Sequence, residues 1–113
     1  MRILIAGVAL ALLAGCSSPS DLMKGEPDLT VVSSKSPKAF ALCAFPEWQD
    51  HSSSAAMSET ETGYRLVNGF GSQTDEVLDI RQTKTGSIAS LYQRVAWSQI
   101  GRSGIRDSVN KCR

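Results

Sequence analysis

Apolar positions recur with two different periods along the chain, and the change of period divides it into helical and strand segments. Ser36-Pro37 joins an N-cap residue to a proline suited to the first helical position. Ala39, Phe40, Leu42, Cys43 and Ala44 follow at helical spacing, with Phe40 and Cys43 on one face. Pro46 has no amide hydrogen, so it is expected to end or kink this helix before one more turn through Trp48. The polar run His51 to Ser54 terminates the element. From Ala56 the period shortens. Met57–Thr60 and Gly63–Val67 flank a Glu-Thr-Gly turn, and Glu76–Arg81 and Ser87–Gln93 flank Lys84-Thr85-Gly86. Short β-branched and aromatic runs separated by glycine-containing turns signal hairpins. Asn68-Gly69-Phe70-Gly71-Ser72 reads as a longer connection between the middle strands. Between Trp97 and Cys112 the helical period returns, with Ile105, Val109 and Cys112 at i, i+4 and i+7. Ser98 and Gly101 extend that stripe, while Arg102, Arg106 and Lys111 fall off it.

These elements predict an α+β fold: a small antiparallel sheet of three to four strands in a simple meander, with an N-terminal and a C-terminal helix packed together. Ser17 to about Ser34 is rich in Ser, Asp, Lys and Pro and reads as a tether with a reach of about 25 Å. Within it, Leu29-Thr30-Val31-Val32 has strand-like composition that suits a sheet edge.

At the N-terminus, Arg2 precedes an apolar run from Ile3 to Leu13 that is too short to span a bilayer as a helix and suits a cleaved signal. Leu13-Ala14-Gly15-Cys16 follows at once and resembles the lipobox of bacterial lipoproteins. The resemblance implies a signal peptide over 1–15 and acylation of Cys16 as the new first residue; composition and periodicity then give a tether over 16–35 and one domain over 36–113. Two or more acyl chains anchor stably, at about 0.8 kcal/mol per buried methylene. Ser17 is not the Asp that resembles an inner-membrane retention signal, so the expected address is the outer membrane facing the periplasm. The alternative is an ordinary signal peptide with a soluble product.

With Cys16 assigned to lipid, Cys43 and Cys112 remain as an even pair in an oxidising compartment. The expectation is one disulfide between them, worth about 4 kcal/mol by the loop-entropy model; two buried thiols packed as small hydrophobes are the alternative. The two cysteines lie on the inner stripes of the two helices, where those helices would meet. Charge narrows the partners. The chain has 12 Lys and Arg against 11 Asp and Glu, and loss of Arg2 leaves the two in balance. No basic stripe interleaved with aromatics is present, which argues against nucleic acid.

Candidate chemistry is sparse. His51 is the one histidine, and its neighbours Asp50 and Ser52 are consecutive with it, which is not the convergent geometry of a catalytic triad. Gly101-Arg102-Ser103-Gly104 is one residue short of a nucleophile elbow. The carboxylate pairs Glu59/Glu61 and Glu47/Asp50 lack the ligand density of a calcium loop and read as solvated faces, so no metal and no cofactor is expected. Gly69-Phe70-Gly71-Ser72 lacks the Gly-Lys-Ser/Thr ending of a phosphate loop. Phe70 between two glycines reads equally as a contact residue on a loop tip or as a side chain folded back onto the core. Trp48, Trp97, Tyr64 and Tyr92 are expected chiefly in the core. The stretch Leu91–Gln99 is dense in Tyr, Trp and Arg, the residues enriched at binding hot spots. If a partner surface exists, Phe70, Tyr92, Arg94 and Trp97 are its expected contacts.

Ser36-Pro37, Cys43 with Trp48 five positions on, Gly63-Tyr64-Arg65 and Gly86-Ser87 before a strand resemble the pattern of small lipoproteins of Gram-negative bacteria. That resemblance spans most of the domain but brings no activity with it. The expected function is a non-enzymatic, membrane-tethered interaction or accessory module of the cell envelope, held by its lipid and meeting an envelope protein. The alternatives are a small-molecule or glycan binder, or an inhibitor of a lytic enzyme such as lysozyme.

Overall fold

A computed structural model describes residues 18–70, 73–94 and 103–113 of the chain. The elements in order are α1 (Pro19–Leu22), β1 (Leu29–Ser33), α2 (Pro37–His51), β2 (Ala56–Glu59), β3 (Gly63–Phe70), β4 (Gln73–Thr83), β5 (Gly86–Gln93) and α3 (Ser103–Cys112). The strands form one antiparallel sheet in the order β1-β5-β4-β3-β2. The expected meander is present as β2 to β5, but the sheet has five strands rather than three or four. The extra one comes from the segment read as tether: Leu29–Ser33 pairs with β5, Val31 opposite Ala89. Its inward residues Val31 and Ser33 are buried while Thr30 and Val32 stay exposed, so an alternating segment gained a buried face by joining the edge.

Helix α2 starts as its sequence predicts. Ser36 Oγ accepts from the Ala39 amide at 3.1 Å, and Pro37 occupies the first turn. The expected break at Pro46 is corrected: the helix runs through it to His51. Pro46 lies on the exposed side, as does Leu42, whose carbonyl is the one a residue at position 46 would ordinarily bond. Water can serve that carbonyl, and the turn beyond is held by burial of Trp48, which is fully enclosed.

Both α2 and α3 pack on one face of the sheet. Phe40, Ala41, Ala44 and Trp48 of α2 and Ile105, Val109 and Cys112 of α3 meet Leu66, Leu78, Ile80, Ala89 and Leu91 from alternate strand positions. The disulfide joins Cys43 to Cys112 with Cα atoms 5.8 Å apart, where the two helical stripes converge. Lys35 Nζ donates to the Cys112 carbonyl at 2.5 Å, placing a cation at the C-terminal end of α3. The hairpin between β4 and β5 closes through Lys84-Thr85, with Thr83 opposite Gly86. Gly86 is required there: its φ is +156°, and a Cβ would collide with the Ser33 carbonyl. Among the described residues, no helix is long and apolar enough to cross a membrane. Ser98 and Gly101, expected to extend the α3 stripe, lie outside the described residues.

Candidate functional site

The inward face of the sheet is mainly apolar; Ser33 and Ser87 lie at one end of it, and at the other end three larger polar residues replace the expected hydrophobics. Asn68 follows Leu66 in phase, Glu76 precedes Leu78 and Ile80, and Gln93 follows Ala89 and Leu91. Strand register then sets them side by side, Asn68 opposite Glu76 and Glu76 opposite Gln93. All three are buried, Glu76 to 1 % exposure. Asn68 Nδ2 donates to Glu76 Oε1 at 3.1 Å and Gln93 Nε2 donates to Glu76 Oε2 at 2.8 Å. A buried carboxylate is costly without such donors, so the row is mutually fixed. His51, on the last turn of α2, brings Nε2 to 3.8 Å from Glu76 Oε1, beyond hydrogen-bond range.

A bulge shifts the register at the end of this row. Register passes from Asn68–Glu76 to Gly69–Thr74, leaving Asp75 as the extra residue on β4. Consecutive strand residues normally face opposite sides of a sheet; here Asp75 and Glu76 line one pocket. That pocket is a half-open hollow of about 260 Å³ between the end of α2 (His51, Ser52), β3 (Asn68, Gly69, Phe70), the β4 bulge and Arg94 just past β5. Arg94 Nε donates to Asp75 Oδ1 at 2.9 Å, and its amide donates to the Asp75 carbonyl at 2.8 Å. Ser54 Oγ donates to the Gly69 carbonyl, tying the loop after α2 to the same rim. Phe70 stands on the rim with 86 % of its surface exposed.

Two other polar sites are structural in character. A hollow of about 430 Å³ lies between the start of α2 and the β2–β3 turn. The turn's own groups bond within it, Thr60 amide to Gly63 carbonyl at 2.8 Å and Gly63 amide to Thr60 Oγ1 at 3.0 Å. On the sheet face away from α2 and α3, buried Asp79 accepts from Arg65 Nη2 at 3.3 Å and Arg81 Nε at 2.8 Å. The hydrogen bond to Asp79 and its charge hold the Arg81 guanidinium above its ordinary pKa. This is a paired buried charge within the sheet, flanked by α1, which packs against β4.

Of the contact residues expected from sequence, Phe70 and Arg94 meet at one pocket. Tyr92 does not join them: it pairs with Val77 and, adjacent to inward-facing Gln93, projects to the opposite side of the sheet, half-buried. Trp97 and Cys16 lie outside the described residues. Between the two readings of Phe70, the exposed tip is the one observed. Of the expected long connection after Val67, Asn68 to Phe70 is strand, since β3 runs to Phe70, which pairs with Gln73; Gly71 and Ser72 lie outside the described residues. His51, read as the start of the polar run that terminates the helix, belongs to the last turn of α2. Sequence reading missed Asn68, Glu76 and Gln93. The available signal was their phase, for each occupies an inward position in a strand whose other inward residues are mainly apolar. Among the described residues no cluster of three His, Cys, Asp or Glu side chains suits a metal ion. Comparison with protein-family models, curated proteins and solved structures finds no match for this chain.

Proposed function

We propose that this chain is a lipid-anchored, non-enzymatic binding module of the bacterial cell envelope, meeting its partner at the end of the sheet that carries Phe70 and Arg94. The observation that carries this reading is the 86 % exposure of Phe70 on the rim of a polar pocket. A large aromatic held out in water gains when a partner covers it, and aromatic and arginine anchors dominate binding energies. The surroundings are organised in advance. The Asp75–Arg94 pair, the Asn68–Glu76–Gln93 row and the Ser54–Gly69 bond fix the rim, which lowers the ordering cost of association. The lipobox-like Leu13-Ala14-Gly15-Cys16 supplies the address, a membrane surface outside the cytoplasm and, with Ser17 after the cysteine, the outer membrane.

The test is site-specific photo-cross-linking in intact cells, with the photoreactive residue at position 70 and, in a second strain, at position 32. Val32 is also exposed, at 68 %, but lies on edge strand β1. A discrete adduct from position 70 and none from position 32 supports the reading. Equal labelling from both, or none from position 70, overturns it.

A further inference from the structure

The pocket behind Phe70 also carries information about what it holds, and this inference rests on the reading of that end of the sheet as the contact surface. Its volume of about 260 Å³ falls just below the roughly 300–1,000 Å³ of sites for drug-sized molecules. One small ring fits; a folded peptide segment does not. The charged lining groups are already engaged, Arg94 with Asp75 and the Glu76 carboxylate with the amides of Asn68 and Gln93, so the pocket does not offer a cluster of one sign to an ion. Nearly every lining side chain is a planar or hydroxyl hydrogen-bonding group: carboxylates, the Asn68 amide, a guanidinium and Ser52. The exception is Phe70, a largely exposed aromatic side chain at the mouth.

A ligand matched to this lining is neutral, bears several groups that both donate and accept, and has an apolar face. A pyranose ring has all three: equatorial hydroxyls around its edge and a face of C–H groups. We infer that the pocket binds one pyranose residue of an envelope glycan, its C–H face stacked on Phe70 and its hydroxyls bonded by Asn68, Asp75 and Arg94. Asp75 and Arg94 are held together at 2.9 Å, so they offer acceptor and donor at fixed spacing to adjacent hydroxyls. The bulge at Asp75 is what brings that pair beside Asn68.

Two sources supply such rings in an envelope, the amino-sugar strand of the cell wall and the core sugars of lipopolysaccharide. The full chain in detergent micelles, labelled with ¹⁵N, is titrated separately with N-acetylglucosamine, glucose and glycerol, each to about 10 mM, a range in which a millimolar Kd saturates most sites. The expected result is saturable amide shifts confined to residues 51–52, 68–70, 75–76 and 94 with at least one sugar and none with glycerol. Phe70→Ala, at an exposed position, weakens the response about tenfold, the loss of about 1.4 kcal/mol of stacking, and leaves the remaining spectrum unchanged. A response to N-acetylglucosamine alone assigns the cell-wall strand, to glucose alone the lipopolysaccharide core, and to both the ring itself. Absence of saturable shifts, shifts equal with glycerol, or a response indifferent to Phe70→Ala overturns the proposal. A protein adduct from position 70 alongside a silent titration would overturn this inference while leaving the binding-module reading intact.

Discussion

Trp48 Nε1 donates a 3.0 Å hydrogen bond to Ser108 Oγ, 60 residues further along the chain, and both side chains are fully buried. Ser108 Oγ in turn donates to the Ile105 carbonyl at 2.7 Å. One hydroxyl therefore joins α2 to α3 and satisfies an indole N–H that has no water to turn to. Ser108→Ala strands that N–H at the price of a buried unsatisfied donor, about 1–3 kcal/mol. The expected outcome is a lower urea midpoint with an unchanged slope; an unchanged midpoint would show that the indole finds another acceptor.

The same two helices are joined covalently. Cys43 and Cys112 are 69 residues apart in sequence, and closing so long a loop is worth about 4 kcal/mol in the chain-entropy model. The double substitution Cys43→Ala, Cys112→Ala is expected to lose stability of that order in equilibrium unfolding. Reductant should destabilise the wild-type chain by a similar amount and leave the double variant where it was.

At the other end of the core, Glu76 is the common acceptor for the amides of Asn68 and Gln93. Glu76→Leu leaves both donors buried without it, a cost of at least about 2 kcal/mol. Glu76→Gln should cost less, because a reoriented amide keeps one accepting oxygen in the row. Thermal unfolding of the two variants beside the wild type distinguishes them, and equal losses would contradict the hydrogen-bond account.

Lys111 Nζ lies 2.7 Å from Glu47 Oε1, linking α3 to α2 at the surface. The hydrogen bond to Glu47, followed by its charge, raises the Lys111 pKa above the ordinary 10.5. A raised amine pKa means the folded state holds the proton more tightly than the unfolded state. The stabilisation is therefore complete below pH 10.5 and disappears as pH rises through the folded-state value. The side chain is exposed, so the effect should be weak and salt-sensitive. NMR titration of the Lys111 ε-methylene should give a pKa above 10.5 that returns toward it in Glu47→Gln.

How much of this molecule was legible beforehand depends on the distance over which each feature is decided. The Ser36-Pro37 start, the Ile105–Val109–Cys112 stripe and the tight turn ending at Gly86 are local, and all three stand as read. The continuation of α2 through Pro46 was not legible, because propensity counts the missing hydrogen bond but not the burial of Trp48 one turn later. Leu29–Ser33 was ambiguous for the same reason. A short alternating segment becomes a strand only when an edge such as β5 is present to accept it.

The candidate site lay furthest from view. Asn68, Glu76 and Gln93 each look like ordinary strand polar residues until register stacks them, and Asp75 reaches the pocket only through the bulge. Sequence by itself determined the periods, the helix start and the two cysteines on inner stripes, since these depend on neighbours within a turn or two. Tertiary structure alone decided that the end of the sheet would be polar, that His51 would close over it and that Phe70 would stand outside. Those outcomes depend on strand register and helix length across the whole domain, where a shift of one residue turns each strand's side chains to the other face.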